Sequence, residues 1–344
     1  MKYLITGGCG FVGSNIASRL IEEGIEPLLF DNLSREGSAL NLKWLHSLGT
    51  LEFQKGDIRD DAVVKDLIKR HQPKVVFHLA GQVAMTTSLE HPRKDFDINV
   101  GGTMNLLGAI AKHSPETIVL YSSSNKVYGS LAQVKLAEKS FRYDAVDFSD
   151  GIDELQQLDF RTPYGCSKGS ADQYMLEYAR TYGLRTVVFR HSTIYGGRQY
   201  STYDQGWIGW FCRQALEVKK NHQRAAFTIS GNGKQVRDLL YVDDVVDCYL
   251  SAVGNIEQAK GNAFNIGGGT KNSSSLLELF KFLQEVLGVT LHYRELPWRH
   301  EDQLFFVANN SKAQNSFGWS PKTNKSDGIM QMLTWVEAAI AHAL

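Results

Sequence analysis

The chain has 344 residues, of which 43% are hydrophobic and 22% charged, and its 37 Lys and Arg balance 37 Asp and Glu to a net charge of +0. That balance excludes a general electrostatic attraction to nucleic acid or to an anionic membrane surface, and no apolar run is long enough to span a bilayer. The length predicts two lobes, or one large α/β unit with an appended lobe.

In chain order, "KYLITGG" reads as a strand, Phe11–Glu23 as a helix and "EPLLFDN" as a second strand. "LEFQKGDI" is a third strand, Asp61–His71 a helix and "KVVFHLAG" a fourth strand. A helix around Phe96–Lys112 leads to the strand "TIVLYSSS". Near-continuous Val, Ile and Leu in strands that alternate with helices predict a parallel sheet covered on both faces. Residues 130–162 are polar and irregular, and long for a loop. A helix from about Ser167 to Tyr182 and the strand "RTVVFRHS" follow. Beyond them "TYDQGWIGWF" is rich in glycine and aromatics, "RDLLYVDDVVDCYLSAV" reads as a short strand leading into a helix, and "NAFNIGG" as another strand. Helices are expected over 273–288 and 325–341. The fold expected is a Rossmann-type, doubly wound parallel sheet spanning 1–189, to which about 235–267 return. A smaller, discontinuous lobe for substrate comprises 190–234 and 268–344.

Cys9, Cys166, Cys212 and Cys248 are scattered, at neither metal-ligand nor redox spacing, and read as buried or semi-buried free thiols. No metal site is expected. "MKYLITGG" resembles a buried strand rather than a leader, so a cytoplasmic protein is expected.

"TGGCGFVG" sets Gly7, Gly10 and Gly13 three residues apart where the first strand meets the first helix. Glycines there permit a tight turn and close backbone approach, and the helix N-terminus faces a pyrophosphate. Asp31 lies 18 positions beyond Gly13, at the end of the second strand. Its carboxylate can accept both adenosine ribose hydroxyls and would repel a 2′-phosphate, which favours NAD. Arg35 could tolerate the phosphorylated cofactor. Asp57 can accept from an adenine amine, or merely cap a helix.

"PYGCSKG" puts Tyr164 and Lys168 four residues apart, on one helix face. An ammonium beside a phenol favours the phenolate and lowers the phenol pKa. Such a phenol can take a proton from a hydroxyl while hydride leaves the same carbon. An ordinary amphipathic helix would also give this spacing. About 40 residues upstream lies "YSSSNKVYG". No His–Asp arrangement accompanies its serines, so a serine nucleophile has no support.

The glycine turn, Asp31, "HLAG", "INVGGT", "YSSSNKVYG", the Tyr164–Lys168 pair and "GNGKQVRDLLYVDDV" resemble the extended short-chain dehydrogenase/reductase family over essentially the whole chain. The resemblance implies a nucleotide-sugar enzyme with catalytic Ser124, Tyr164 and Lys168. It implies NAD held by Gly7, Gly10, Phe11, Val12, Gly13, Asp31, Asn32, Ser34, Arg35, Asp57, Ile58, Leu79, Ala80, Gln82, Asn99, Ser122, Tyr164 and Lys168. Ser123 is expected to be partly structural. For substrate it implies Ser88, Ser124, Asn125, Thr193, Arg198, Gln199, Arg237 and Arg299, with Arg237 and Arg299 on the pyrophosphate and Asp302 orienting Arg299 or touching the ribose. Backbone near Gly81–Val83 is expected in the sugar pocket. Trp207 and Trp210 stack on base or sugar, or pack the lobe. Sugar dehydratases of the family carry Asp-Glu where this chain has Asn125 and Lys126, so dehydration is not expected. Family members usually carry an Asn where Thr193 stands, a departure within the sugar pocket.

"HLAGQVAMTTS", "PYGCSKG", "FRHSTIYGGRQ", "TYDQGWIGWF" and "ISGNGKQVRD" are most similar to members that invert C2 of a CDP-linked 3,6-dideoxyhexose for lipopolysaccharide O-antigen. Such a sugar has no 3-hydroxyl and its C2 hydrogen is not acidic, so transient oxidation at C2 and hydride return to the opposite face are expected. A UDP-glucose-type 4-epimerase shares every catalytic residue and remains open. So do a net dehydrogenase and a silent NAD sensor. The resemblance further implies a homodimer or homotetramer built on the helices after Asp95 and Tyr164, with neither nucleic acid nor membrane as partner.

Overall fold

The structure, a computed structural model, describes residues 2–221 and 226–341. The first half alternates β1 (Tyr3–Thr6), α1 (Phe11–Glu22), β2 (Pro27–Asp31), α2 (Ser38–Leu48), β3 (Glu52–Lys55), α3 (Asp61–His71) and β4 (Val75–His78). Then come α4 (Met85–Glu90), α5 (Pro92–Phe96), a π-helical turn over Asp97–Gly101, α6 (Gly102–His113) and β5 (Ile118–Ser124). The hairpin β6 (Leu136–Glu138) and β7 (Tyr143–Ala145) lies in the long polar segment, which is otherwise irregular, as expected. It precedes α7 (Thr162–Tyr182), β8 (Arg185–His191), β9 (Thr193–Tyr195), α8 (Trp207–Lys220), β10 (Phe227–Ser230) and β11 (Val236–Tyr241). The remainder is α9 (Val242–Gly254), α10 (Ile256–Ala259), β12 (Asn262–Ile266), β13 (Ser273–Ser275), α11 (Leu276–Leu287), β14 (Tyr293–Leu296), β15 (Phe305–Phe306), α12 (Ser311–Phe317) and α13 (Lys325–Ala341).

Seven parallel strands form the main sheet in the order β12-β8-β5-β4-β1-β2-β3. Neighbouring residues within each strand serve opposite faces. Ile5, Leu29, Phe77 and Leu120 pack with Ile16 and Leu20 of α1 and Val245 and Tyr249 of α9. Leu4, Leu28, Val76 and Val119 pack with Leu67 of α3, Leu106 of α6 and Met175 of α7. Both faces are therefore apolar, which is why these strands read as continuous hydrophobic runs. A smaller lobe joins β9, β11, β13 and β15 in one sheet and β10 with β14 in another. Its core combines α8, α11 and α13 through residues such as Ile208, Phe211, Leu279, Phe280 and Met332.

Of the segment 235–267, β11 lies in the smaller lobe's sheet, whereas α9 and β12 join the large one. Of the segment 268–344, α12 packs through Ala313 and Phe317 on the large sheet's core. Residues 222–225 and 342–344 of the expected lobe lie outside the described residues.

Four local expectations need correction. The helix expected over Phe96–Lys112 is three pieces, with the π-helical turn in the middle. The helix expected from Ser167 begins at Thr162, where Pro163 suits the first turn, so Tyr164 lies inside it. Residues 273–275 are a strand, and Ser275 caps α11 in a reciprocal capping box with Glu278. The glycines of "TYDQGWIGWF" conceal a helix start. Ile208, Phe211, Cys212, Ala215 and Leu216 of α8 recur at helical spacing, and Gly209 fits under Met332 where a side chain would not. Among the cysteines, Cys166 is exposed rather than buried.

Candidate active site

The C-terminal ends of the parallel strands converge on one crevice, at the point where strand order reverses between β1 and β4. After β1, Gly7 adopts φ 70°, and a Cβ there would stand 2.8 Å from the Ala80 amide nitrogen. A Cβ at Gly13 would overlap the Gly7 carbonyl. No side chain caps α1 at Gly10, so its first-turn amides at Phe11 and Val12 face outward as anion donors. Asp31 closes β2, and its carboxylate accepts from the amides of Cys9 (3.0 Å) and Leu33 (2.7 Å). Burial raises its pKa, and those two bonds oppose the rise. A glycine cradle, an uncapped helix terminus and a fixed carboxylate at the next strand end fit the pyrophosphate and ribose of NAD.

Other expected cofactor residues lie in the segments that follow β2, β3 and β4 and in the π-helical turn. Asn32 donates to Asp57 (2.9 Å) and accepts from the Ser34 amide (3.0 Å). Arg59, unforeseen, pairs with Asp57 at 2.8 Å and holds its carboxyl well below the usual range. Asp57 is thus engaged rather than a bare acceptor. Arg35 is exposed, with Asp204 and Glu36 as its charged neighbours. After β4, the amides of Leu79 and Ala80 bond Thr6, and the Gln82 amide donates to Asn99 Oδ1 at 2.9 Å. Asn99 sits in the π-helical turn and also donates to Ser167 Oγ (2.9 Å). The side chain of Ile58 does not face the crevice freely. It is buried in the core against Gly102 of α6.

Ser124 ends β5, and its side chain is hydrogen-bonded to Tyr164 in the first turn of α7. Its Oγ also accepts from the Lys126 amide (3.2 Å) and donates to Asn125 Oδ1 (3.3 Å). The expected lowering of the Tyr164 phenol by Lys168 is not what the structure gives. Burial pushes the phenol up to about 12, with the Ser124 bond acting against it. The Lys168 ammonium donates instead to the Ser122 carbonyl and lies 4.4 Å from the centre of the Tyr121 ring. Burial lowers that ammonium to about 8, while Asp95 and Asp172 pull it back up.

Beneath these groups lie residues that the motifs did not reveal. Asp95 is buried and accepts from Ser167 Oγ. Arg190 and Asp172 form a buried two-point ion pair, at 2.9 Å through Nε and at 2.9 Å through Nη2. Ser123 donates to that carboxylate at 2.8 Å, which makes it the structural serine. The signal was present: an arginine inside the apolar strand "RTVVFRHS" requires a buried partner.

At the substrate end, a cavity of about 170 Å³ is lined by Arg237, Arg299, Asp302, Trp207, Trp210 and Gln235, among others. Asp302 accepts from Arg237 (3.1 Å) and from Lys126 (3.5 Å), rather than orienting Arg299 as expected. Arg299 lies 5.8 Å from the centre of the Tyr203 ring. Burial lowers the Lys126 ammonium to about 8. Asn125 donates to Gln303 (2.9 Å), a buried residue that sequence reasoning missed. Thr193 Oγ1 accepts from Trp207 Nε1 (3.2 Å). Ser88 is buried on α4, its hydroxyl without a partner. Gln199 is buried and donates to the Ile194 carbonyl (3.2 Å). Arg198 departs from expectation: it stacks on Trp44 of α2, 3.8 Å from the ring centre, and is absent from the cavity wall. The backbone at Arg198 is left-handed, φ 68°.

Among the described residues no group of three or more His, Cys, Asp or Glu is placed to hold a metal ion. No described helix is long and apolar enough to cross a membrane.

Residues 3–267 match the model of the NAD dependent epimerase/dehydratase family. The chain is 55% identical over 338 residues to a CDP-paratose 2-epimerase of Salmonella typhi, covering 98% of this chain and 100% of that protein. Its structure is similar to a UDP-glucose 4-epimerase of Thermotoga maritima solved with UDP-glucose (TM-score 0.84, 30% identity, 99% and 100% covered). It is also similar to a UDP-glucose 4-epimerase of Thermus thermophilus solved with NAD (TM-score 0.79, 26% identity, 98% and 100% covered).

Proposed function

The chain belongs to the NAD dependent epimerase/dehydratase family, and on that premise we propose that it inverts C2 of a CDP-linked 3,6-dideoxyhexose, converting CDP-paratose to CDP-tyvelose. The observation that carries this reading is the 55% identity to a CDP-paratose 2-epimerase along the full length of both chains. Asn125 supports it: a neutral amide engaged with Ser124 and Gln303 stands where a dehydratase needs an acid.

NAD supplies reversible acceptance of hydride at the reacting carbon. Gly7, Gly10, Gly13 and the amides of Phe11 and Val12 would hold its pyrophosphate, and Asp31 its ribose. Tyr164 and Ser124 bracket the 2-hydroxyl and move its proton. Ser124 matters twice over, because its bond is the contact that opposes the rise of the buried phenol. Lys168 is fixed to the Ser122 carbonyl beside them. Lys126 and Arg237 share one carboxylate, Asp302, and Arg299 lines the same cavity; these three cations suit a diphosphate. Trp207 and Trp210 offer ring faces for base or sugar. Exposed Leu89, Phe96, Tyr174 and Tyr182 on α4, α5 and α7 support assembly as a homo-oligomer through these helices. The product sugar is of the kind that lipopolysaccharide O-antigen would consume.

Proton NMR of the purified protein with CDP-paratose and no added NAD tests the reading. Appearance of CDP-tyvelose, with a C2 deuterium retained in the product, is expected, and Tyr164→Phe should be silent. An unchanged spectrum from protein shown to contain NAD would overturn C2 epimerisation in favour of a 4-epimerase acting on another nucleotide sugar.

A further inference from the structure

The first turns of α7, which carry Tyr164 and Lys168, pack on α5 and on the π-helical turn, and part of that contact is polar. Asp95 of α5 is fully buried. Its Oδ2 accepts from Ser167 Oγ, and its Oδ1 has no hydrogen-bond partner. Ser167, the residue before Lys168, accepts in turn from Asn99 Nδ2 (2.9 Å). The Cβ that Gly81 lacks would stand 3.0 Å from Asn99 Oδ1 and 3.7 Å from Lys168 Nζ, so the ammonium lies at the edge of this network.

A buried carboxylate with one hydrogen bond calls for a cation. Arg93 and Lys94, beside Asp95 in sequence, are exposed, and Arg93 pairs with Asp97 (2.8 Å). Arg190 is engaged by Asp172. Lys168 is left. It is buried too, and its ammonium donates to a neutral acceptor, the Ser122 carbonyl. Each of the two buried charges acts on the other. Burial lowers the ammonium and Asp95 opposes the fall; burial raises the Asp95 carboxyl, and Ser167 and Lys168 oppose the rise.

The other titratable groups around Lys168 do not supply this negative charge. Asp172 of α7 is the second carboxylate near the ammonium, but it is held by Arg190 of β8 and by Ser123 of β5. His78 of β4 and His191 of β8 are lowered by burial to about 3 and are neutral above it. Burial raises the phenols of Tyr121 and Tyr164, which leaves both protonated near neutral pH.

We propose that Asp95 is the counter-ion of Lys168, a positioning residue that keeps the ammonium charged in its buried place and acts on the chemistry through it alone. Ser167 holds the carboxylate, so the ammonium keeps its bond to Ser122. The effect on turnover rests on the proposed inversion at C2. The pairing of the two charges does not.

NMR titration of the NAD-containing protein labelled at lysine Cε tests the pairing, with Lys168→Arg identifying the Lys168 signal. In Asp95→Asn, which still offers Ser167 an acceptor, the midpoint of that signal should fall by about one pH unit or more. The alkaline fall of kcat with CDP-paratose should move down with it, and KM should stay within about threefold. Asp95→Glu, which keeps the charge, should restore both. Asp95→Ser, also uncharged, gives the same reading where Asn at this position impairs folding. An unmoved midpoint in the uncharged variants would overturn the proposal, even with a lowered kcat, because a merely structural residue lowers the rate without moving the titration. A lowered midpoint in protein that leaves CDP-paratose unchanged would uphold the counter-ion and count against the C2 reading alone.

Discussion

Lys126 stands two residues beyond Ser124 and shares the Asp302 carboxylate with Arg237, so it links the reacting end of the site to the nucleotide end. Burial is the largest influence on it, followed by Arg237, and it sits at about 8 instead of the ordinary 10.5. Because that value is depressed, the ammonium is lost as pH rises through about 8. If the ammonium helps hold a diphosphate, KM for the nucleotide sugar should climb above that pH. Lys126→Met should show a KM raised about tenfold or more at pH 7 and should lose the climb. Its kcat should stay within about threefold, whereas loss of the Lys168 ammonium would read in kcat. An unchanged KM at pH 7 would remove Lys126 from substrate binding. Nothing in the residue's type gave this away. An isolated lysine in "SSSNKVYG" reads as a solvated charge until Arg237 and Asp302, more than a hundred positions later, are brought beside it.

The segment between β14 and β15 closes on the turn that follows β5, and Gln303 is the fastening. Its Nε2 donates to the Gly129 carbonyl (2.7 Å) and the Asn125 carbonyl (3.2 Å), and its Oε1 accepts from Asn125 Nδ2 (2.9 Å). Asn125 in turn accepts from Ser124. Gln303→Leu would remove these bonds and leave a buried amide unpaired, at a cost of about 2–3 kcal/mol. A lowered melting temperature and a reduced kcat are expected together, the latter because Ser124 loses its anchor. A variant with wild-type stability would refute the fastening. Elements with local signals were legible: α3 matches its expected bounds because Asp60 caps it and its apolar residues recur at helical spacing. The start of α8 was not, because Gly206 serves as a left-handed cap and Gly209 packs against Met332, features that local propensity does not register.

At the scale of the whole molecule, two histidines are buried against the parallel sheet. His78 bonds Thr6 (2.8 Å) and Thr103 (3.0 Å), and His191 bonds Tyr249 (3.0 Å). Burial, then the Lys168 charge, lowers both to about 3. The unfolded chain binds protons at these sites from about 6.5 downward, and the folded chain does not. Stability therefore rises with pH between about 3 and 6.5 and is lost as pH falls through that window. Each histidine contributes up to about 1.4 kcal/mol per pH unit. Calorimetric melting should show a falling melting temperature from pH 6.5 to pH 4.5. A His78→Asn, His191→Asn double variant should show a shallower fall. A flat profile in the unaltered protein would count against both burials.

The sequence by itself determined the parallel sheet, the glycine cradle, the place of Asp31 at a strand end and the Tyr164–Lys168 pair on one helix. Each depends on spacing within one strand, one turn or one helix, where the backbone's own period places the side chains. The tertiary structure decided the rest. It paired Arg190 with Asp172, turned Arg198 onto Trp44, fastened Asn125 to Gln303 and brought Gln235, Trp207 and Arg299 to one cavity. It also decided the pKa values, because desolvation is set by every element packed around a group and not by its neighbours in the chain. The Tyr164–Lys168 spacing alone implied a lowered phenol. The folded site raises it, because burial outweighs a lysine whose charge is directed to Ser122 and Tyr121.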